Sequence, residues 1–237
     1  MILALDFETT SADPETCDVI EVGAVLYDEV AQRPIAMMNE LVSGHEVPPE
    51  ITKITHITQK DVNNHGYLLE QVRIQLLNLC LDADFLVAHN ANAFDRIIFN
   101  RVMTPREECP YAWIDTITDV PYPDSITIRK LPYLAAEHGF CNPFSHRAVF
   151  DCLTMLKIMS QYDFSEIVEM SQLPLCTLIA QVSYDDRELA KARGYRWEPL
   201  KRLWMKQMKI GIDKEINEAG FGVKILEEIG HSSPELG

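Results

Sequence analysis

No apolar run in this 237-residue chain approaches the roughly 18 residues a membrane-crossing helix needs, so a membrane partner is not expected. Met1-Ile-Leu-Ala-Leu5 lacks a basic start, and Asp6 comes too early for a secretory signal. The six cysteines, at 17, 80, 109, 141, 152 and 176, include no C-x-x-C pair. That excludes a zinc ribbon or a disulfide framework and points to reduced thiols in a cytoplasmic protein. Repeats and low-complexity tracts are missing as well. Positive charge is scarce: 21 Lys+Arg stand against 36 Asp+Glu, a formal net charge of −15. Such a chain cannot coat nucleic acid through bulk charge. A metal-dependent enzyme of nucleic acids stays open, because bound divalent ions invert the sign of a local acidic site. Apolar residues make up 47%, enough for a sizeable core, and the length suits one medium domain or a domain with a small appendage.

Residues 2–6 and 19–27 are nearly all apolar and read as buried strands joined by the loop 13–18, with a third strand at 37–42. Pro48-Pro49 opens a helical stretch, and Leu69, Val72, Leu76, Leu77 and Leu79 predict an amphipathic helix over 68–81. Residues 84–88 read as a strand, followed by a polar loop and a helix from 94 to about 103. Residues 104–125 are rich in proline and turn residues. Helices are predicted at 131–138, closed by Gly139, and at 147–159. Hairpin strands followed by alternating helices and strands imply an α/β layer with a mixed sheet.

The chemistry concentrates at a few positions. Asp6 and Glu8 lie two apart at a strand end, so their carboxylates point to one side. They repel unless a cation sits between them, and a site with oxygen donors alone suits Mg²⁺ or Mn²⁺ over zinc. In isolation a D-x-E there also reads as a solvated turn. Asp95, in Val87-Ala-His-Asn-Ala-Asn-Ala-Phe-Asp95, stands at a helix start, where a carboxylate also serves as a plain first-turn charge. Asp151 lies among Ala148, Cys152 and Met155 on an apolar helix face, where a carboxylate is costly unless paired or metal-bound. His146 precedes that helix, and an imidazole near neutral pKa suits a general base.

Taken in order, Leu5-Asp-Phe-Glu-Thr9, the segment from His89 to Asp95, and His146-x-x-x-x-Asp151 resemble the three motifs of the DEDD exonucleases of the DnaQ-like superfamily, in the histidine-bearing (DEDDh) subgroup. Size and early motif layout are similar to its exodeoxyribonuclease X-like members. Many members space the second-motif histidine and aspartate five apart; here they are six apart, which leaves Asp95 as the ligand. The resemblance implies an RNase H-like mixed β-sheet flanked by helices. It implies that Asp6, Glu8, Asp95 and Asp151 hold two Mg²⁺, with Mn²⁺ able to substitute, and that His146 is the base. It also implies that Phe7, Thr9, Thr10, His89, Asn90 and Asn92 lie at the terminal nucleotide. The activity implied is release of nucleoside 5′-monophosphates from the 3′ end of DNA, single strands favoured. The alternatives are an exoribonuclease of the same fold and a non-catalytic subunit that binds nucleic acid or a polymerase.

Residues 178–210 carry eight basic against four acidic side chains, with Tyr184, Tyr195, Trp197 and Trp204 among them. That mixture suits single-strand binding by stacking and phosphate contact, and the same aromatics would also make the core of a small sheet. Arg193, Arg196, Trp197, Lys201, Arg202 and Trp204 are the candidate contacts, with a protein partner as the other possible occupant. Strands are expected at 182–184, 195–197 and 203–205 and a helix at 185–193. The resulting division is an exonuclease domain over 1–165, a connector over 166–180 and a small C-terminal α+β module over 181–237, with a frayed polar end from about 231.

Overall fold

The computed structural model describes residues 1–104, 110–123, 125–199 and 201–229. Cys109 and the end from His231 lie outside the described residues. The chain forms two compact units, Met1–Val168 and Glu169–Gly237.

The first unit is built on a five-stranded mixed sheet in the order β3-β2-β1-β4-β5. Strands β1 (Ile2–Thr9), β2 (Val19–Asp28) and β3 (Arg33–Leu41) form an antiparallel meander. Strands β4 (Phe85–Ala88) and β5 (Ala112–Asp115) run parallel to β1. Helices α1 (Pro49–Thr55), α2 (Gln59–His65) and α3 (Leu69–Cys80) follow β3. Pro49 starts α1, and the Thr58–Asp61 capping box starts α2. Helix α4 (Asp95–Ile98) runs on into a π-helical turn at Phe99–Met103. Helices α5 (Leu131–Glu137), α6 (Ala148–Met159) and α7 (Phe164–Gln172) come after β5.

Strand alternation sorts β1 onto two cores. Leu3, Leu5 and Phe7 pack with Val72 and Leu76 of α3, while Ile2 and Ala4 pack with Cys152 and Met155 of α6. Asp6 and Glu8 continue the Ile2–Ala4 row, so they fall on the α6 side. Strand β1 runs on past the last residue of β4, with Ala4 paired to Val87. The carboxyl ends of parallel strands are where open α/β sheets place ligands.

The second unit is a four-stranded antiparallel sheet in the order β7-β8-β6-β9. Its elements are β6 (Leu175–Gln181), α8 (Arg187–Ala192), β7 (Arg196–Glu198), β8 (Leu203–Met208), α9 (Ile212–Glu218) and β9 (Gly222–Ile229). Leu178, Ala180, Ala190 and Tyr195 make its core. Two expectations need correction here. The strand read at 182–184 lies earlier, over β6, and the stretch read as a connector holds α7 and most of β6. The Leu175-Cys-Thr-Leu-Ile-Ala180 run lacks polar alternation because β6 is a central strand. Strand β5 escaped the sequence reading because it is only four residues long in a proline-rich stretch.

Gly23, opposite Asp6 on β2, is where α6 touches the sheet. A Cβ there would stand 2.3 Å from the Val149 nitrogen and 2.4 Å from the Ala148 carbonyl carbon. Those are backbone atoms with no rotamer to yield. Gly23→Ala is therefore expected to cost about 1–3 kcal/mol of stability by overpacking, read as a lowered urea midpoint of the first unit. Gly44→Ala, where the added carbon meets nothing within 4 Å but φ is +105, tests backbone strain without crowding.

Candidate active site

Three elements bring the sequence-predicted carboxylates together. Strand β1 supplies Asp6 and Glu8, the start of α4 supplies Asp95, and the first turn of α6 supplies Asp151. Glu8, Asp95 and Asp151 are buried and Asp6 is half-buried. Ligand atoms of Glu8, His146 and Asp151 all lie within 4.8 Å of one another. Asp95 is tied to β1 by the Phe7 N–H, which donates to its Oδ1 at 3.2 Å. Asp151 accepts from the Asn142 side-chain amide at 2.7 Å and from the His146 N–H at 2.8 Å.

His146 is exposed and holds φ +62, a left-handed conformation uncommon outside glycine. The bond from its own N–H to Asp151 fixes that conformation, so the imidazole stands at the mouth of the cluster. Asn90, at φ +74, is the matching left-handed residue in the loop before α4.

Burial and mutual repulsion show in the acidities. Burial, then Glu8, Asp95 and Asp151, raise the Asp6 carboxyl well above its ordinary range. Burial, then Asp151, Glu21 and Asp95, push Glu8 up to about 8, with Arg147 opposing. Burial pushes Asp95 to about 8 against the Phe7 N–H. Burial also pushes Asp151 to about 6, with the His146 N–H acting against it. Carboxylates held this way, with oxygen donors and one imidazole, fit a hard divalent cation.

Two acidic residues that the sequence reading did not single out hold the frame. Glu21 is fully buried on β2, directly opposite Glu8. It accepts from the Arg147 guanidinium, at 2.7 Å from Nη2, and from the Ala148 N–H at 2.9 Å, which fixes the start of α6. A glutamate inside the apolar run 19–27 was the available signal, since a buried charge demands a partner. Asp115, at the end of β5, accepts from the N–H groups of Asn90, Asn92 and Ile117, each at 3.0 Å. It thereby shapes the loop that delivers Asp95. Nothing in its local sequence marked it.

The proposed nucleotide-contacting residues fare differently. Phe7 is 3% exposed, in the core with Leu3 and Leu5, so its side chain does not face the cleft; this corrects the expectation. His89 is corrected too. Its Nδ1 sits 2.7 Å from the Thr116 hydroxyl, its Nε2 is closed off from solvent, and burial lowers its pKa to about 4. The neutral ring braces the loop from inside. The Thr9 hydroxyl donates to the Ser11 carbonyl at 2.6 Å, and the Thr10 hydroxyl accepts from the Asp18 N–H at 2.9 Å, so both close the 11–18 loop. Asn90 is exposed and Asn92 half-exposed beside Asp95.

In the second unit, Arg193 makes two bonds of 3.0 Å to buried Glu215, so it serves the fold rather than a ligand, a further correction. Arg196, Trp197, Lys201 and Arg202 are exposed and Trp204 is half-buried.

Residues 3–159 match the family model RNase_T, described as "Exonuclease", and residues 176–226 match a domain of unknown function, DUF8626. The chain belongs to the exonuclease family. It is 28% identical over 183 residues to a PolC-type DNA polymerase III of Thermotoga maritima, covering 72% of this chain but only 13% of that relative. It is 29% identical over 163 residues to the DNA polymerase III epsilon subunit of Treponema pallidum, covering 66% of this chain and 74% of the relative. The structure of exonuclease X in complex with 5′ overhanging duplex DNA superposes with a TM-score of 0.53 at 22% identity, over 72% of this chain and 99% of that one. The fold is thus the RNase H-like exonuclease fold. Among the described residues no helix is long and apolar enough to cross a membrane. Cys17, Cys141 and Cys152 carry free thiols.

Each of these carboxyls has a folded pKa above its unfolded value. Their contribution to stability is therefore present at low pH and is lost as pH rises through about 6 for Asp151 and about 8 for Glu8 and Asp95. A divalent ion reverses that loss. Thermal unfolding in EDTA against excess Mn²⁺ is expected to show a metal-induced rise in midpoint that is several degrees larger at pH 8 than at pH 6. Asp95→Asn should raise the EDTA midpoint at pH 8 and shrink the metal effect.

Proposed function

We propose that this chain is a 3′→5′ exonuclease acting on DNA, single strands favoured, and releasing nucleoside 5′-monophosphates. The observation that carries the reading is the convergence of Glu8, Asp151 and His146 within 4.8 Å, at the end of a strand that also carries Asp6 and is bonded to Asp95. Asp6, Glu8, Asp95 and Asp151 would hold two divalent ions, Mg²⁺ or Mn²⁺. Bound there, such ions supply an acidified water and positive charge beside the leaving oxygen.

The chain's own groups do the rest. His146 takes the proton of the attacking water on its imidazole, and its exposure lets that proton pass on to solvent. Asp151 fixes the histidine by accepting its N–H, while Asn142 fixes Asp151. The water oxygen forms a bond to the terminal phosphorus in line with the P–O3′ bond that breaks. A 5′-monophosphate leaves, and the O3′ freed on the shortened strand takes up a proton from solvent to become its new 3′ hydroxyl. Asn90 and Asn92, presented by the loop on Asp115, are placed to meet the terminal nucleotide.

DNA as substrate is supported by the names of the relatives, subunits and forms of DNA polymerase III, and by the DNA complex of exonuclease X. A purely binding subunit would gain nothing from clustered buried carboxylates, which destabilise the chain unless compensated. The location is proposed to be cytoplasmic, and a polymerase is a proposed partner.

The test is a Mg²⁺-dependent assay on 5′-labelled single-stranded DNA, duplex DNA and RNA side by side. The expected result is a ladder shortening from the 3′ end, fastest on single-stranded DNA, with mononucleotide products. Asp151→Ala should abolish turnover. His146→Ala should lower kcat about 10²–10⁴-fold with little change in KM. Near-wild-type turnover by Asp151→Ala, or products that arise from internal cuts, would sink the proposal.

A further inference from the structure

Apart from the exposed Lys214 on α9, the basic residues of the second unit divide into two groups. Arg193 and Lys206 hold Glu215, Lys191 and Arg187 pair with Glu188, and the buried Lys209 donates to the carbonyls of Met170 and Ser171 at 3.0 Å each. These serve the fold. Arg196, Lys201, Arg202 and Lys224 are exposed, and among the described residues none of them is in an ion pair. Arg196, Lys201 and Arg202 lie on the β7–β8 hairpin; Lys224 lies on β9, across β6 from it, and lines one groove together with Arg202.

Two tryptophans mark the same place. Trp197 and Trp204 are cross-strand partners, with ring centroids 5.7 Å apart, and Trp197 remains 47% exposed. A groove of about 570 Å³ opens there, lined by Ile179, Trp197, Arg202, Leu203, Trp204 and Lys224 among others. Trp204 packs on the core of Leu178, Ala180, Ala190 and Tyr195, whereas Trp197 lies outside it, so the core does not explain this large exposed indole.

An occupant must bring negative charge for Arg202 and Lys224 and a flat apolar face for Trp197. Duplex nucleic acid brings charge but keeps its base faces stacked inside. An acidic peptide brings charge without flat faces. A single strand brings both, because every base has a π-face and every linkage a phosphate. The geometry points to the groove beside the β7–β8 hairpin as a grip for single-stranded nucleic acid, with a base stacked on Trp197 and phosphates met by Arg202 and Lys224. This deepens the exonuclease reading and rests on it only for the kind of ligand expected.

The experiment uses the full chain in EDTA, so that no turnover is needed, with fluorescence anisotropy of 5′-fluorescein oligo(dT) as the readout. Trp197→Ala is expected to weaken binding roughly fivefold or more, and Trp197→Phe to retain most of the affinity. The double change Arg202→Ala with Lys224→Ala should flatten the plot of log Kd against log salt by about 0.7 per residue removed. Wild-type circular dichroism in each variant confirms the fold. Unchanged affinity in Trp197→Ala, or an unchanged salt slope in the double variant, overturns the grip. A chain that binds oligo(dT) through these residues yet releases no nucleotide with Mg²⁺ supports the grip and defeats the exonuclease reading. A chain that digests DNA while every variant binds as wild type does the reverse.

Discussion

Asp6, Glu8, Asp95 and Asp151 share one water-poor cleft in which burial raises all four carboxyls, and ionising them together would set β1, the α4 start and α6 against one another. Each of those elements is tied down by a bond whose partner is itself charged or strained. The Phe7 N–H pulls Asp95 against β1. Three backbone amides around Asp115 stiffen the loop behind it. Asn142 and the left-handed His146 hold both oxygens of Asp151. A hydrogen bond contributes about 0.5–1.5 kcal/mol, and about 1.5–3 kcal/mol where its partner is ionised, so a handful can hold such a cluster together.

Glu21 adds a further buried acid to a region already crowded with acids, and its position opposite Glu8 would make matters worse if it stood alone. It does not. Arg147 meets both of its oxygens and also lowers the pKa of Glu8, while the Ala148 N–H brings the positive end of α6 against it. One arginine therefore serves the start of α6 and the charge balance of the cleft together. Gly23 completes the arrangement, because without its missing Cβ the backbone of α6 could not come near enough to set Asp151 beside β1.

Much of this was legible in the chain, and the boundary of legibility is physical. Period-two alternation put Asp6 and Glu8 on one face, and the apolar stripe of α6 made Asp151 an anomaly that needed a reason. Three motifs in order then tied distant segments together. What stayed hidden depends on register and on backbone groups. Asp115 binds amides, which every residue has, so no spacing announces it. His89 looked like a ligand-facing histidine, yet its ring is turned onto Thr116. Phe7 alternates onto the α3 face, an outcome that follows from the same period-two rule that placed its acidic neighbours. Arg193 looked like a phosphate contact because α9, which carries its partner Glu215, was not read as a helix.

A formal charge of −15 sets a polyanionic substrate against the chain as a whole, and two local features of different kind oppose it. The acidic cleft turns attractive only where divalent cations occupy it, so its pull on phosphate depends on metal activity and is felt at contact range. The hairpin carries fixed cations, which act without metal. Monovalent salt then works in two directions. It screens the diffuse repulsion of the acidic surface beyond about 10 Å at 0.1 M, and it competes with the phosphate contacts at the hairpin. A net salt dependence shallower than the exposed cations of the groove alone would give follows from that opposition. Steepening of the dependence once the surface acids are neutralised would trace the flattening to the chain's own charge rather than to weak contacts.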